Sequence, residues 1–162
     1  MNWKFSVAAL AAIPTLALTL TPSGASASPG VNSGHDLIRM DLTPSVPTDD
    51  PIVGVGPGAL PWIIDRGEVR VRESGRMDVR IEGLQVPRAD GTADNPVGMI
   101  DAVLYCGGEP TADSGPQAMS IPDGDARFRV FLDVPQTCED ATVLISPSAA
   151  VGAAYIASAV TD

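Results

Sequence analysis

The chain has 162 residues, with twenty acids against ten basic residues, a formal net charge of -10 and only 4% aromatics. That length suits one domain with a buried core, and the acidity argues against nucleic acid or an anionic membrane as the main partner. The usual bases of a hydrolase are nearly missing, since His35 is the sole histidine and Lys4 the sole lysine, which argues against an enzyme.

At the N-terminus Lys4 precedes an uncharged apolar run from Phe5 to Leu20 and then the small-residue stretch SGASAS. This order predicts a secretory signal peptide over residues 1–27, with Ala25-Ser26-Ala27 as the cleavage signal. A retained anchor needs about 20 apolar residues, and Pro14 and the Pro22-Ser23-Gly24 break do not suit one. Removing residues 1–27 takes away Lys4 and leaves nine arginines and twenty acids. The expected product is therefore secreted, extracellular and still strongly acidic. Residues 28–61 are rich in Pro, Gly, Ser and Asp and predict a flexible leader, with one edge strand near Leu37 to Leu42.

Residues 62–162 carry short alternating apolar runs broken by turn residues. The expected strands are Val69 to Glu73, Arg76 to Leu84, Met99 to Cys106, Ala118 to Ile121, Ala126 to Val134, Thr142 to Ser146 and Ala154 to Val160. About seven short strands with no sustained helical spacing predict an all-β domain, an Ig-like two-sheet β-sandwich. Cys106 and Cys138 are the only cysteines, and an even count in an oxidising compartment predicts one disulfide. The uncharged stretch from Ala141 to Val160 has the length of a membrane span. Pro147, Gly152 and the lack of a basic flank favour two strands joined by a loop instead.

Five arginines crowd the segment RGEVRVRESGRMDVRIEG, Arg66 to Gly83. Residues paired across an antiparallel hairpin share a face. A two-residue turn would set Val71 against Asp78 and mix the faces. A three-residue loop, Glu73-Ser74-Gly75, pairs Val71 with Met77 and Val69 with Val79, and puts Gly75 at the left-handed position. The other face then sets Arg66 against Glu82, Glu68 against Arg80 and Arg70 against Asp78. Arg72 and Arg76 are left facing each other beside the turn as candidate contacts for a carboxylate or sulfate. In the strand from Ala126, the alternation places Phe131 on the polar side with Arg127, Arg129 and Asp133, as a further candidate ligand contact.

Metal chemistry has a weak signal. Asp123 and Asp125 flank Gly124 in a turn, and Asp90 to Asn95 forms another, which makes both weak calcium candidates. Ordinary turns use the same residues, so no cofactor or metal is expected.

The order of elements, with VRIEGLQ, MIDAVLYCGG, PDGDARFRVFLDV and CEDATVLISPSAAVGAAYIAS, resembles the layout of neocarzinostatin-type chromophore-binding apoproteins over residues 67–158. More broadly, the chain resembles small exported β proteins of high-GC Gram-positive bacteria. Members of the apoprotein family carry two short-range disulfides, whereas this chain has one pair at long separation. The resemblance implies a small-ligand carrier, with a cleft around Tyr105, Phe128 and Phe131 and the loops near Gly107 and Gly115. The residues themselves point to a non-catalytic protein whose role is extracellular interaction or binding, with a protein or a small molecule as its partner and no membrane contact after signal cleavage.

Overall fold

The computed structural model describes residues 34–161. The expected signal peptide and the first residues of the expected leader, 28–33, lie outside the described residues. In chain order the strands are β1 (Asp36–Asp41), β2 (Thr43–Pro44), β3 (Gly56–Pro57), β4 (Arg66–Arg72), β5 (Arg76–Glu82), β6 (Val86–Pro87) and β7 (Ala93–Asp94). They continue with β8 (Met99–Cys106), β9 (Glu109–Asp113), β10 (Gln117–Ala118), β11 (Ala126–Phe131), β12 (Thr142–Pro147), β13 (Ala154–Tyr155) and β14 (Ala157–Val160).

These strands build the expected all-β sandwich. A four-stranded antiparallel sheet runs β1-β4-β5-β11. A second antiparallel sheet runs β10-β8-β12-β14-β2, with β9 paired to β8. Alternation decides which residues meet between them. Val69, Val71, Met77, Val79 and Ile81 from the first sheet share one core with Ile100, Ala102, Leu104, Val143, Ile145 and Ala159 from the second.

The second sheet is buried on its other face as well. Val103, Tyr105 and Leu144 project there and pack with Tyr155 and Val55, covered by Ile52 and Val53. Two-sided burial explains why β8 and β12 read as near-continuous apolar runs rather than as alternation. It also accounts for the uncharged stretch from Ala141 to Val160, which forms β12, a short 3₁₀ turn at Ser148–Ala150, and then β13 and β14. No helix among the described residues is long and apolar enough to cross a membrane.

From residue 34 onward the expected flexible leader is part of the sandwich, which corrects the domain boundary expected near Pro61. The strand expected near Leu37 is β1, at the edge of the first sheet and in register with β4. Immediately after it, β2 joins the second sheet beside β14. Ile38, Leu42 and Val55 are buried. Ser45 pins the crossing, because its amide donates to Ile156 O at 3.0 Å and its hydroxyl to Tyr155 O at 3.1 Å. Isolated apolar anchors among Pro and Gly have no periodicity, so the sequence pattern hides them. The sequence pattern also misses β9, which is almost wholly exposed, contains Pro110 and has no apolar alternation; such strands belong at sheet edges.

Cys106 and Cys138 form the expected disulfide, with Cα atoms 4.9 Å apart. It ties the end of β8, in the second sheet, to the segment that leaves the first sheet after β11.

Candidate functional site

The β4–β5 hairpin has the register expected from apolar matching. Val71 lies opposite Met77, Val69 opposite Val79, Arg70 opposite Asp78, Glu68 opposite Arg80 and Arg66 opposite Glu82. Gly75 is left-handed, at φ +81°. Its carbonyl accepts from Leu132 N at 2.8 Å, so the hairpin tip is also fastened to the end of β11.

The charges of this face are shared differently from the expected opposite-strand pairing. Arg70 reaches outward to Asp36 on β1, Nε to Oδ1 at 2.6 Å. Arg39, also on β1, donates to Glu68 at 3.2 Å. Arg80 turns along its own strand to Glu82, with Nε 2.9 Å from Oε1. Asp78 takes two guanidinium groups: Arg76 through Nε and Nη2 at 2.7 and 3.0 Å, and Arg129 from β11 at 2.6 Å. Arg76, expected to lack a partner, is therefore chelated. A long arginine spans the roughly 6.7 Å to the next same-face residue on its own strand as readily as the gap to the strand beside it. The flanking strands add acids and cations that hairpin arithmetic does not contain.

Titration follows these contacts. Burial pushes the Asp78 carboxyl up, but hydrogen bonds from Arg76 and Arg129 outweigh it and hold the group below its ordinary range. Hydrogen bonding from Arg80 likewise lowers Glu82. Both carboxyls are held in their charged form, as partners of guanidinium groups.

What remains is cationic. On the outer face of this sheet stand Arg39, Arg66, Arg70, Arg72, Arg76, Arg80, Arg127 and Arg129, against Asp36, Asp41, Glu68, Asp78 and Glu82. Counted over the strand residues, eight arginines against five acids give the face a formal charge of +3, with the exposed acids Glu73 and Asp133 just beyond the ends of β4 and β11. The other fourteen described acids share one arginine, Arg88, which pairs with Asp94. All of the face arginines except Arg66 line a shallow depression of about 550 Å³ over the middle of the sheet. Among the described residues, Arg66, Arg72 and Arg127 form no ion pair. Arg72 is the most demanding of the three, since its Nε is buried without an acceptor. Its register neighbour on β1 is Asp36, whose carboxylate is engaged by Arg70.

Phe131 stands on the same face, opposite Arg76, and is 75% exposed. The three candidate contacts Arg72, Arg76 and Phe131 thus share the turn end of one sheet face. The aromatic cleft implied by the carrier resemblance is not assembled. Tyr105 belongs to the buried cluster on the far side of the second sheet, where burial raises its phenol. Phe128 packs against the main core, and Phe131 points out on the opposite surface of its own strand.

The turn acids serve the fold. Asp125 accepts from Gly83 N at 2.9 Å, and Asp90 accepts from the amide and hydroxyl of Thr92 at 3.0 and 2.6 Å. Asn95 is buried and gives its side-chain amide to Val97 O and Ser120 O at 2.6 and 2.8 Å. Asp123 is not gathered with them: among the described residues no three Asp, Glu, His or Cys side chains are placed to hold a metal ion.

Sequence reasoning found the hairpin and Phe131 but missed the assembly of the face. Arg39 comes from β1 and Arg127 and Arg129 from β11, strands separated from the hairpin by other elements of the chain, and only the alternation in ARFRVF hinted at the direction of the last two. Compared with known protein families, curated proteins and solved structures, the chain matches none.

Proposed function

We propose that this chain is a secreted, non-catalytic binding module that holds an anionic partner on the outer face of its four-stranded sheet. The observation that carries the reading is the segregation of charge: eight of nine arginines on one face of a chain with net charge -10. Complementary potentials of this kind steer association and set its salt dependence. Guanidinium groups recognise carboxylate and sulfate through paired N–H donors. The disulfide supports an oxidising compartment, in keeping with the signal-like N-terminus.

Retention on an immobilised sulfated polysaccharide, heparin, tests this reading. The secreted protein is expected to bind at low salt and elute as salt rises, despite its overall negative charge. The double variant Arg72→Glu/Arg127→Glu should weaken retention at least tenfold with the fold unchanged by circular dichroism. A wild-type protein that flows through at low salt, or a variant retained equally well, refutes the assignment.

A further inference from the structure

The arginine face ends at a sheet edge whose backbone is unpaired. β11 is hydrogen-bonded to β5 alone. In an antiparallel ladder, alternate residues direct both amide and carbonyl to the same neighbour. Because Leu132 N donates to Gly75 O at 2.8 Å, Val130, Phe128 and Ala126 also face β5. Arg127, Arg129 and Phe131 therefore turn their amides and carbonyls away from the sheet. None of the three has another backbone partner among the described residues. The same three side chains stand on the cationic face, while Phe128 and Val130, on the other side of the strand, are only half-buried.

We infer that β11 accepts an extended peptide strand in which acidic residues alternate with apolar ones, a deepening of the anion-binding reading above and dependent on it. An added antiparallel strand places the residues opposite Arg127, Arg129 and Phe131 on the same face as those side chains. Two acids spaced i, i+2 then meet Arg127 and Arg129, and an aromatic or aliphatic residue two positions before the first acid meets Phe131. The intervening residues lie over Phe128 and Val130 and are selected to be apolar. In the peptide's own direction the pattern is aromatic, apolar, acid, apolar, acid. Edge strands invite pairing of this kind, and natural ones are commonly blunted by charge. Here the charges on the edge are cations, which discriminate among partners rather than only repelling them. A second copy of β11 on this edge would bring two faces of formal charge +3 side by side, so charge complementarity favours an acidic strand.

The test uses the secreted protein and three labelled peptides read by fluorescence polarisation. The first carries Phe-Val-Asp-Val-Asp between neutral flanks, the second has the same composition with the aspartates adjacent, and the third is the first methylated on both aspartate amides. The alternating peptide is expected to bind at least tenfold more tightly than either control. It should slow amide exchange at Arg127, Arg129 and Phe131. Arg127→Glu should lose the alternating peptide and recover binding to the version with lysine at the last position. Equal affinity for the three peptides overturns strand addition, and if heparin is still retained, the anionic-face reading stands without it. If neither heparin nor any peptide binds, both readings fall. A wild-type dimer whose β11 amides are already protected without peptide also overturns the proposal, by assigning the edge to self-association.

Discussion

Replacing Gly75 with alanine tests how the hairpin tip is seated on the sheet. Gly75 has φ +81°, and a Cβ built there would lie 2.1 Å from Leu132 O, well inside any tolerable contact. Three costs combine. The left-handed conformation costs alanine about 1 kcal/mol, and losing the bond from Leu132 N to Gly75 O costs about 1 kcal/mol more. Moving Leu132 away from the core it packs against adds roughly another 1 to 2 kcal/mol of lost burial. Gly75→Ala should therefore destabilise the fold by about 3 to 4 kcal/mol. Gly91→Ala is the matched control, because Gly91 has φ +85° and nothing within 4 Å of its Cβ position; it should lose only the conformational share, about 1 kcal/mol. Urea unfolding followed by tryptophan fluorescence gives both values from midpoint and slope. If the two variants lie within about 0.5 kcal/mol of each other, the close packing of the tip against β11 is not what stabilises it.

Two further outcomes follow from the same geometry. Removing the Cys106–Cys138 bridge, which links positions 32 residues apart, should cost about 3 to 4 kcal/mol by the chain-entropy relation; thermal unfolding with and without reductant measures it, and a loss below about 1 kcal/mol would mean the unfolded chain gains little freedom. Asp78 and Glu82 both have folded-state values below their ordinary range, so at low pH the unfolded state binds more protons and stability rises with pH. Their contribution is complete above the ordinary carboxylate values and lost as pH falls through the lowered folded ones. Asp78→Asn should flatten the acid limb of the stability curve, and an acid limb identical to wild type would remove Asp78 from that account.

The hairpin was legible because its information is local: a left-handed glycine, a three-residue loop and a period of two decide which residues share a face. The same alternation sets Phe131 beside Arg127 and Arg129 within a single strand. Partner choice among the charges was not legible. Arg70 turns to Asp36 and Asp78 to Arg129, and neither strand supplying those groups is adjacent in the chain. Residues 34–61 conceal their order for a related reason. A Pro- and Gly-rich segment can be ordered by a few separated anchors, such as Ile38, Leu42 and Val55, whose burial depends on cavities made by distant strands.

Sequence alone determined the all-β class, the disulfide, the strands β4, β5, β8, β11 and β12, and the register of the central hairpin, because periodicity and turn chemistry act over a few residues. Tertiary structure decided that the second sheet is buried on both faces, that β1 and β2 belong to the sandwich, and that eight arginines form one surface in an acidic protein. Those features depend on which strands become neighbours, and the energy that selects neighbours comes from apolar surfaces meeting across the whole chain.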